Sequence, residues 1–221
     1  MAASGAPTSG TPMHDTHHSG IPSKGELTRR EILAAAIVRF GRDGYRPTSV
    51  ADIARDAAVG GTVPYTYFPN KEALFLAAAD EDAAGAIHEA LAAAFRSPGM
   101  PDWQEALLGT LLGAVERHPL ARRLLAGLEP DATRRVLDIP ALAELRKVCA
   151  ERLDAEQRAG TVRGDIDPVT MANGIVAMVM SLLMSILQLG LDATSPYAAD
   201  VAAVFEAALE PPPAFGSPPG G

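Results

Sequence analysis

The stretch GGTVPYTYFPNKEALF, from Gly60 to Phe75, concentrates side chains that can contact a nucleic acid. Tyrosine and threonine hydroxyls can bond to phosphate oxygens, and threonine and valine methyl groups can contact a thymine methyl. Lys71 follows Asn70, which is a favoured helix N-cap, and a lysine there adds charge where backbone N–H groups already favour an anion. The aromatic residues between two prolines also allow two other interpretations, a surface loop or a plug for the core.

The rest of the chain offers little reactive chemistry. We find no nucleophile–base set, no metal-ligand spacing and no phosphate-binding glycine loop, so we expect no enzyme activity, no metal site and no cofactor. The five histidines are isolated or lie in a tail, where metal binding by His14, His17 and His18 is the less favoured interpretation. Cys149 lies in an Ala/Leu-rich helical run and is expected to be a core residue in a reducing compartment.

The charge is distributed unevenly along the 221 residues. The net charge of −8 argues weakly against a nucleic-acid binder, but residues 24–75 carry +2 and residues 76–221 carry −9. A mildly basic N-terminal module joined to an acidic body suggests two tasks in one chain. Ala, Leu and Val dominate and β-branched runs are rare, so the composition favours helices.

Both ends have the composition of disordered tails. Residues 1–24 are rich in Gly, Pro, Ser, Thr and His and contain no apolar run typical of a secretory signal, so we expect a cytoplasmic protein. Residues 211–221 are similar. Between the tails we predict a first domain over 25–70 and a second over 71–210.

Three short helices are predicted in the first domain. Thr28 and Glu31 fit a capping box that starts a helix over 28–43, and Gly44 stops it. Ser49 caps the second helix, whose buried stripe is Val50, Ile53, Ala54 and Ala57. The third helix lies within Thr62–Tyr67. Such a trihelical unit presents one short helix at its surface, where it can enter a major groove.

The second domain is also predicted to be helical. A long helix starts at Lys71 and runs through Phe95, and a loop follows over 97–101. Further helices are predicted over 102–117, 119–127, 130–137, 140–160, 167–191 and 196–209. No strand pattern is convincing, so the predicted fold is all-α, with nine or ten helices.

The predicted helix over 167–191 is apolar nearly all round. Its length would allow a membrane span, but Asn173, Ser181, Ser185 and Gln188 interrupt it and no basic flank is present. A buried helix or a subunit interface is therefore favoured over a membrane span. Small residues spaced three or four apart would let a second helix approach closely.

The residues from Ile53 to Leu74 carry a family resemblance. The segments IARDAAV and Tyr65, YFPNKEAL resemble the DNA-binding domain of the tetracycline-repressor (TetR) family of bacterial transcription regulators, over about 28–75. The resemblance implies an N-terminal helix-turn-helix domain, a larger C-terminal helical domain for ligand binding and dimerisation, and double-stranded operator DNA as partner. Homodimerisation would use the helices over 167–191 and 196–209, in a four-helix bundle.

Particular residues take roles from this resemblance and from their chemistry. Phe68 and Leu74 are expected to pack in the core with Phe40, Ile53 and Val59, whereas the Tyr65 hydroxyl is implied to bind a phosphate. The basic ends near Lys24 and Arg29 add charge, with a solvated face as the alternative. The predicted DNA-binding set is Arg46, Thr48, Ser49, Gly60, Gly61, Thr62, Val63, Tyr65, Thr66, Tyr67 and Lys71.

Ala58 and Pro64 depart from the family pattern, and Gly60 and Gly61 lie where family members often carry base-reading side chains. Ala58 replaces a turn glycine and would be strained at a positive φ. Pro64 lies inside the recognition helix and disfavours helical geometry at Val63, so we predict that this helix starts late, near Gly61 or Thr62, or is irregular before Tyr65. Gly60 and Gly61 lack side chains, which leaves a modest code for reading bases and a larger part for phosphate contacts and DNA shape.

An effector pocket is predicted within the middle helices. Its candidate lining is Trp103, Leu107, Leu111, Leu124, Leu128, Met171, Ile175, Met178 and Leu182, each of which could equally be plain core. The resulting hypothesis is a repressor released from a palindromic operator when a small apolar molecule binds. The alternative is a helical ligand- or protein-binding module with weak or lost DNA binding.

Overall fold

The computed structural model describes residues 23–94, 103–133 and 139–211. Its helices are α1 Lys24–Asp43, α2 Val50–Asp56, α3 Pro64–Tyr67, α4 Lys71–Ala94, α5 Trp103–Val115, α6 Pro119–Leu125, α7 Pro130–Thr133, α8 Pro140–Ala159, α9 Pro168–Leu189, α10 Leu191–Thr194 and α11 Ala198–Leu209. A 3-10 turn, Ser195–Tyr197, joins the last two. These described parts contain no strand, so the all-α prediction is confirmed. Residues 1–22 and 212–221 of the predicted tails, the loop over 97–101 and residues 134–137 of the helix predicted over 130–137 lie outside the described residues.

The start of α1 differs from the prediction. The helix begins at Lys24 rather than at 28, because Ser23 and Glu26 form a complete capping box with each other's backbone N–H groups. The predicted cap at Thr28 was wrong, since Thr28 lies inside the helix. The predicted stop is confirmed: Gly44 has φ 86° and its N–H donates to the Phe40 carbonyl.

Helices α1 and α2 are fixed to each other by an apolar core and an ion pair. Phe40 and Ile53 are fully buried between them, as predicted, whereas Ala57 and Val59 are only half-buried. Arg39 Nε donates to Asp56 Oδ2 at 2.6 Å and Arg39 Nη2 donates to Oδ1 at 2.9 Å. These bonds lower the pKa of Asp56 below its usual value. This bidentate ion pair therefore helps to fix the orientation of α2 relative to α1.

Ala58, in the turn after α2, has φ 54°, the one positive value at a non-glycine position among the described residues. Ala58→Gly is therefore expected to stabilise the protein by about 0.5 kcal/mol, because relief of left-handed strain exceeds the added entropy of the unfolded chain. Ala51→Gly, at an exposed position inside α2, should instead destabilise it by about 1 kcal/mol. Urea unfolding of both variants checks the opposite signs, and destabilisation by both substitutions would contradict the strain.

The body packs around α4, α5, α8 and α9. Leu74, Leu107, Leu145 and Cys149 are fully buried there, and burial raises the pKa of the Cys149 thiol to about 12, as befits an inert core residue. Helix α9 has the length and apolarity of a membrane span, but it packs against α8, α5 and α6 and buries one side, from Met171 to Leu183. Gly190, with φ 90°, ends α9 earlier than predicted, and α10 follows as a separate turn.

Candidate nucleic-acid interface

Helix α3 is a single turn preceded by tighter turns. Val63 N–H donates to the Gly60 carbonyl at 2.9 Å, Tyr65 N–H to Thr62 at 3.1 Å and Thr66 N–H to Val63 at 3.0 Å, all three residues apart. A bond of α-helical spacing runs from Phe68 N–H to the Pro64 carbonyl at 2.9 Å. The predicted irregularity before Tyr65 is confirmed, although the helix starts at Pro64, later than Gly61 or Thr62.

Pro64 lies on the buried side of this turn. It occupies the first helical position, where a missing N–H costs no hydrogen bond, and it is buried, as is Phe68, which is 5% exposed. The expectation for Val63 was wrong, since its φ of −59° and ψ of −40° are helical. The preference against helical geometry before proline is a bias that packing of a buried ring can override.

The opposite side of the turn faces solvent. Gly60, Gly61, Thr62, Tyr65 and Thr66 are exposed, and the Tyr65 side chain is 53% exposed. A Cβ added at Gly61 would meet nothing within 4 Å. This side therefore combines hydroxyl groups and bare backbone, without a charged side chain among these five residues.

Tyr67 and Lys71 are partly used inside the domain. The Tyr67 hydroxyl lies next to Gly25 at the start of α1, and the ring is half-buried. Lys71 Nζ lies 4.4 Å from the centre of the Tyr45 ring and donates to the Arg46 carbonyl at 3.2 Å. An ammonium group has three donors, so Lys71 keeps hydrogen-bonding capacity beyond this contact.

Of the two predicted contact residues at the start of α2, Ser49 is exposed and Thr48 is buried. Ser49 is exposed, and its hydroxyl accepts from Asp52 N–H at 3.1 Å and donates to the Asp52 carboxylate at 2.6 Å, which lowers the pKa of Asp52. Thr48 is only 3% exposed, and its hydroxyl donates to the Gly44 carbonyl at 2.8 Å. The prediction that the Thr48 hydroxyl contacts DNA was therefore wrong, because that group closes the turn after α1.

Helix α4 connects this surface to the body. Asn70 caps it as predicted, with its Oδ1 accepting from Ala73 N–H at 2.8 Å. Phe75 on its first turn packs edge-on against Phe40 and Tyr45, with ring centres 5.0 Å apart in both pairs. The first turn of α4 is therefore packed directly against α1 and against the turn before α2.

The predicted pocket residues do not surround one cavity. Trp103, Leu107, Met171 and Ile175 are buried core, and the Trp103 indole N–H donates to Glu156 at 3.2 Å. Leu128 and Met178 are exposed by 58% and 38%, and Leu128 lines a separate open cavity of about 600 Å³ beside Tyr45 and Glu129. Leu111 and Leu124 do meet, around an apolar void of about 30 Å³, and Leu182 instead lines a groove between α9 and α11.

A buried carboxylate in α4 was missed by sequence reasoning. Asp82 is 5% exposed, and its Oδ2 accepts from Leu120 N–H at 2.8 Å and Ala121 N–H at 2.9 Å, which caps α6. His118 Nδ1 lies 2.8 Å from its Oδ1, so His118 is not isolated, contrary to the expectation. The signal for the cap was the break His118-Pro119, which needs an acceptor for the first N–H groups of α6.

The fold and the exposed turn together define a helix-turn-helix DNA-binding protein. Residues 32–78 match the model of the bacterial regulatory proteins of the tetR family. The chain is 28% identical over 193 residues to the uncharacterized HTH-type transcriptional regulator YdgC of Bacillus subtilis, which covers 81% of this chain and 91% of that protein. Residues 32–78 therefore carry a DNA-binding domain of the tetR-family type, and the chain as a whole is similar to an HTH-type transcriptional regulator.

Solved structures agree with this assignment in their fold. A protein of Mesorhizobium loti assigned to the TetR family superposes with a TM-score of 0.65 at 20% identity, over 86% of this chain and 100% of that one. A structure described as the molecular basis for control of antibiotic production by bacterial hormones gives 0.61 at 22% identity, over 83% and 98%. The fold of both halves of the chain is therefore similar to the fold of these two structures.

Proposed function

We propose that this regulator is a repressor that binds a palindromic operator as a homodimer and leaves it when a small apolar molecule binds. The observation that carries the proposal is the α3 turn, which exposes hydroxyl groups and bare backbone while Pro64 and Phe68 are buried. Burial of Pro64 and Phe68 limits the movement of the turn. Contact with a major groove requires the exposed atoms to be held in a fixed position. On this basis residues 25–70 are the DNA-binding domain and residues 71–210 the sensing and dimerising domain.

Most of the DNA affinity is proposed to come from phosphate contacts. Tyr65 supplies an exposed hydroxyl, Arg46 an exposed guanidinium and Lys71 its remaining ammonium donors. Ser49 contributes through the end of α2, although its hydroxyl is engaged by Asp52. Contacts of this kind hold the protein on the duplex without reading its sequence.

Base reading is proposed to rest on few atoms, those of Thr62, Val63 and Thr66 with backbone approach at Gly60 and Gly61. Thr62→Ala combined with Thr66→Ala is expected to lower the preference for the operator over scrambled DNA roughly tenfold, because methyl and hydroxyl contacts to base edges are lost. Fluorescence anisotropy with DNA from upstream of the gene measures this ratio. Thr161→Ala, at an exposed position in the body, is the control.

Two outcomes would contradict this division between phosphate and base contacts. If the double variant keeps the wild-type preference for the operator, the threonine side chains do not read the bases. If the affinity for DNA hardly changes between low and high salt, phosphate contacts do not supply most of it, because each phosphate contact releases counterions.

The homodimer is proposed to form through α9 and α11. The exposed side of α9 carries the small residues Gly174, Ala177 and Ser181 beside Met178, so a second helix can approach its backbone closely. Between α9 and α11 lies a groove of about 460 Å³, lined by Leu182, Ile186, Phe205 and other mainly apolar residues. A second copy of the chain would cover this apolar surface and place two α3 turns on one duplex.

The effector site is proposed at the apolar void between α4, α5, α6, α8 and α9. Ile87, Leu111, Leu124 and Met180 line it, and its volume of about 30 Å³ is too small for an organic ligand of ordinary size. Binding would therefore select a form in which these helices are further apart, and α4 would carry the difference to α1. By linkage, operator DNA must weaken effector binding by the same factor.

The other proposed properties follow from the family and from the packing of α9. We infer a cytoplasmic, non-enzymatic protein that does not insert into membranes. The one-turn α3 and the pair Gly60 and Gly61 favour a second candidate, a helical binding module that has weak or lost DNA binding. Absence of binding to the upstream DNA at low salt would favour that candidate over the repressor.

A further inference from the structure

The DNA-binding domain is joined to the body by a second connection besides α4. Glu129, between α6 and α7, places its Oε1 3.0 Å from the backbone nitrogen of Tyr45, which donates to it. The same oxygen accepts from Arg123 Nε at 2.8 Å. The two bonded partners of this oxygen lie on different domains, 84 residues from Glu129 in one case and six in the other.

The contact is tight and largely protected from water. The side chains of Glu129 and Arg123 are 14% and 23% exposed. A Cβ added at Gly44 would lie 2.4 Å from Arg123 Nη2 and 2.7 Å from Glu129 Oε1, so both groups rest directly on the backbone of Gly44. Gly44 also has φ 86°, so glycine is required at this point for two independent reasons.

A second close approach lies one turn earlier in α1. A Cβ at Gly41 would lie 2.7 Å from Pro119 Cβ, so the last turn of α1 is seated on the start of α6. Helix α6 in turn is capped by Asp82 of α4. The end of α1 is thus held between α6 and the Glu129 carboxylate.

Tyr45, whose backbone N–H donates to Glu129, is close in the chain to α2 and the α3 turn. Tyr45 carries the Lys71 ammonium over its ring, and only Arg46, Pro47 and Thr48 separate it from Ser49, the N-cap of α2. A shift of the Tyr45 backbone therefore changes the direction of α2 and of the α3 turn beyond it. In a dimer such a shift changes the separation of the two α3 turns, to which half-site spacing is sensitive.

We propose that Glu129 is a positioning residue for DNA binding, whose carboxylate fixes the turn between α1 and α2 to the body and thereby selects the half-site spacing of the operator. The proposal rests on the proposed function, because it presumes two α3 turns on one duplex. Its bonds to Tyr45 and Arg123 act alongside the continuous path through α4, so the orientation of the domain depends on both.

The test compares full-length Glu129→Ala and Glu129→Gln with the wild type. Operators with the natural spacing and with one base pair inserted or removed are titrated by fluorescence anisotropy. Glu129→Ala is expected to lose about tenfold in affinity for the natural spacing and to lose most of its discrimination against the altered ones. Glu129→Gln, which keeps an oxygen for the Tyr45 N–H, should retain most of both.

The matched control is Glu116→Ala, which breaks an exposed ion pair between Glu116, before α6, and Arg122 of α6. Its affinity and spacing preference should equal those of the wild type. Hydrogen exchange of the free proteins gives a readout that does not need DNA: the Tyr45 amide should exchange faster in Glu129→Ala and unchanged in Glu116→Ala.

The outcomes separate this proposal from the proposed function. Wild-type binding with an unchanged spacing preference in Glu129→Ala would overturn the role of Glu129 alone, as would unchanged exchange at Tyr45. Failure of the wild type to bind any of the DNA fragments would overturn the proposed function and this role with it, even if the Tyr45 amide is protected as described.

Discussion

Gly61→Glu is expected to reduce operator affinity by at least about 100-fold, because a carboxylate at the centre of the exposed turn would face DNA phosphates. The fold should tolerate the change. The Cβ position of Gly61 is open, and its φ lies outside the left-handed region. The measurement is a fluorescence anisotropy titration of operator DNA, with the thermal midpoint of each variant recorded alongside.

The controls separate charge from position. Gly164→Glu makes the same substitution at an exposed glycine of the body whose Cβ position is also open, and it should bind as the wild type does. Gly61→Ala should keep nearly full affinity, because it adds a methyl group without charge. Equal affinities for Gly61→Glu and Gly164→Glu would mean that the α3 turn does not face the duplex.

Asp82→Ala is expected to destabilise the protein by about 3 kcal/mol, the largest effect that we expect at a single side chain. The substitution leaves the N–H groups of Leu120 and Ala121 without their buried acceptor and removes the partner of His118 Nδ1. Urea unfolding followed by circular dichroism measures the loss. Protein concentration must be held fixed, because dimerisation would add to the apparent stability.

The matched control is Glu81→Ala, one residue earlier on the same helix and exposed. It makes a similar change of charge without removing a buried acceptor, so its effect should stay within about 0.5 kcal/mol. Asp82→Asn should fall between the two, since it keeps one oxygen for the α6 N–H groups. A loss in Asp82→Ala no larger than that in Glu81→Ala would show that Asp82 does not hold α6 in place.

The elements that sequence reasoning located were those whose signals are local. The helix ends at Ser49, Asn70 and Gly44 are examples. Each of these residues bonds to a backbone group within four residues, so its type predicts a helix end at that position. Local signals can also compete. Ser23 and Glu26 have the same spacing as Thr28 and Glu31, and only the observed helix decides which box is used.

The parts that sequence reasoning missed depend on residues that are distant along the chain. Asp82 meets the N-terminus of α6 across 38 residues, and Glu129 meets Tyr45 across 84. No period or cap pattern specifies such pairs. The nine predicted pocket residues are divided among the core, the void and two surface cavities for the same reason, because helical spacing identifies apolar faces but does not say which faces meet.

We propose above that two copies of this chain bind one palindromic duplex through their α3 turns. The most direct test of this proposal is sedimentation velocity of the full-length protein mixed with a labelled duplex from upstream of its gene. We expect a complex of two protomers on one duplex, and its affinity should fall steeply as the salt concentration is raised. The complex should not form with Gly61→Glu. A single bound protomer, no complex at low salt, or an undiminished complex with Gly61→Glu would contradict the proposal.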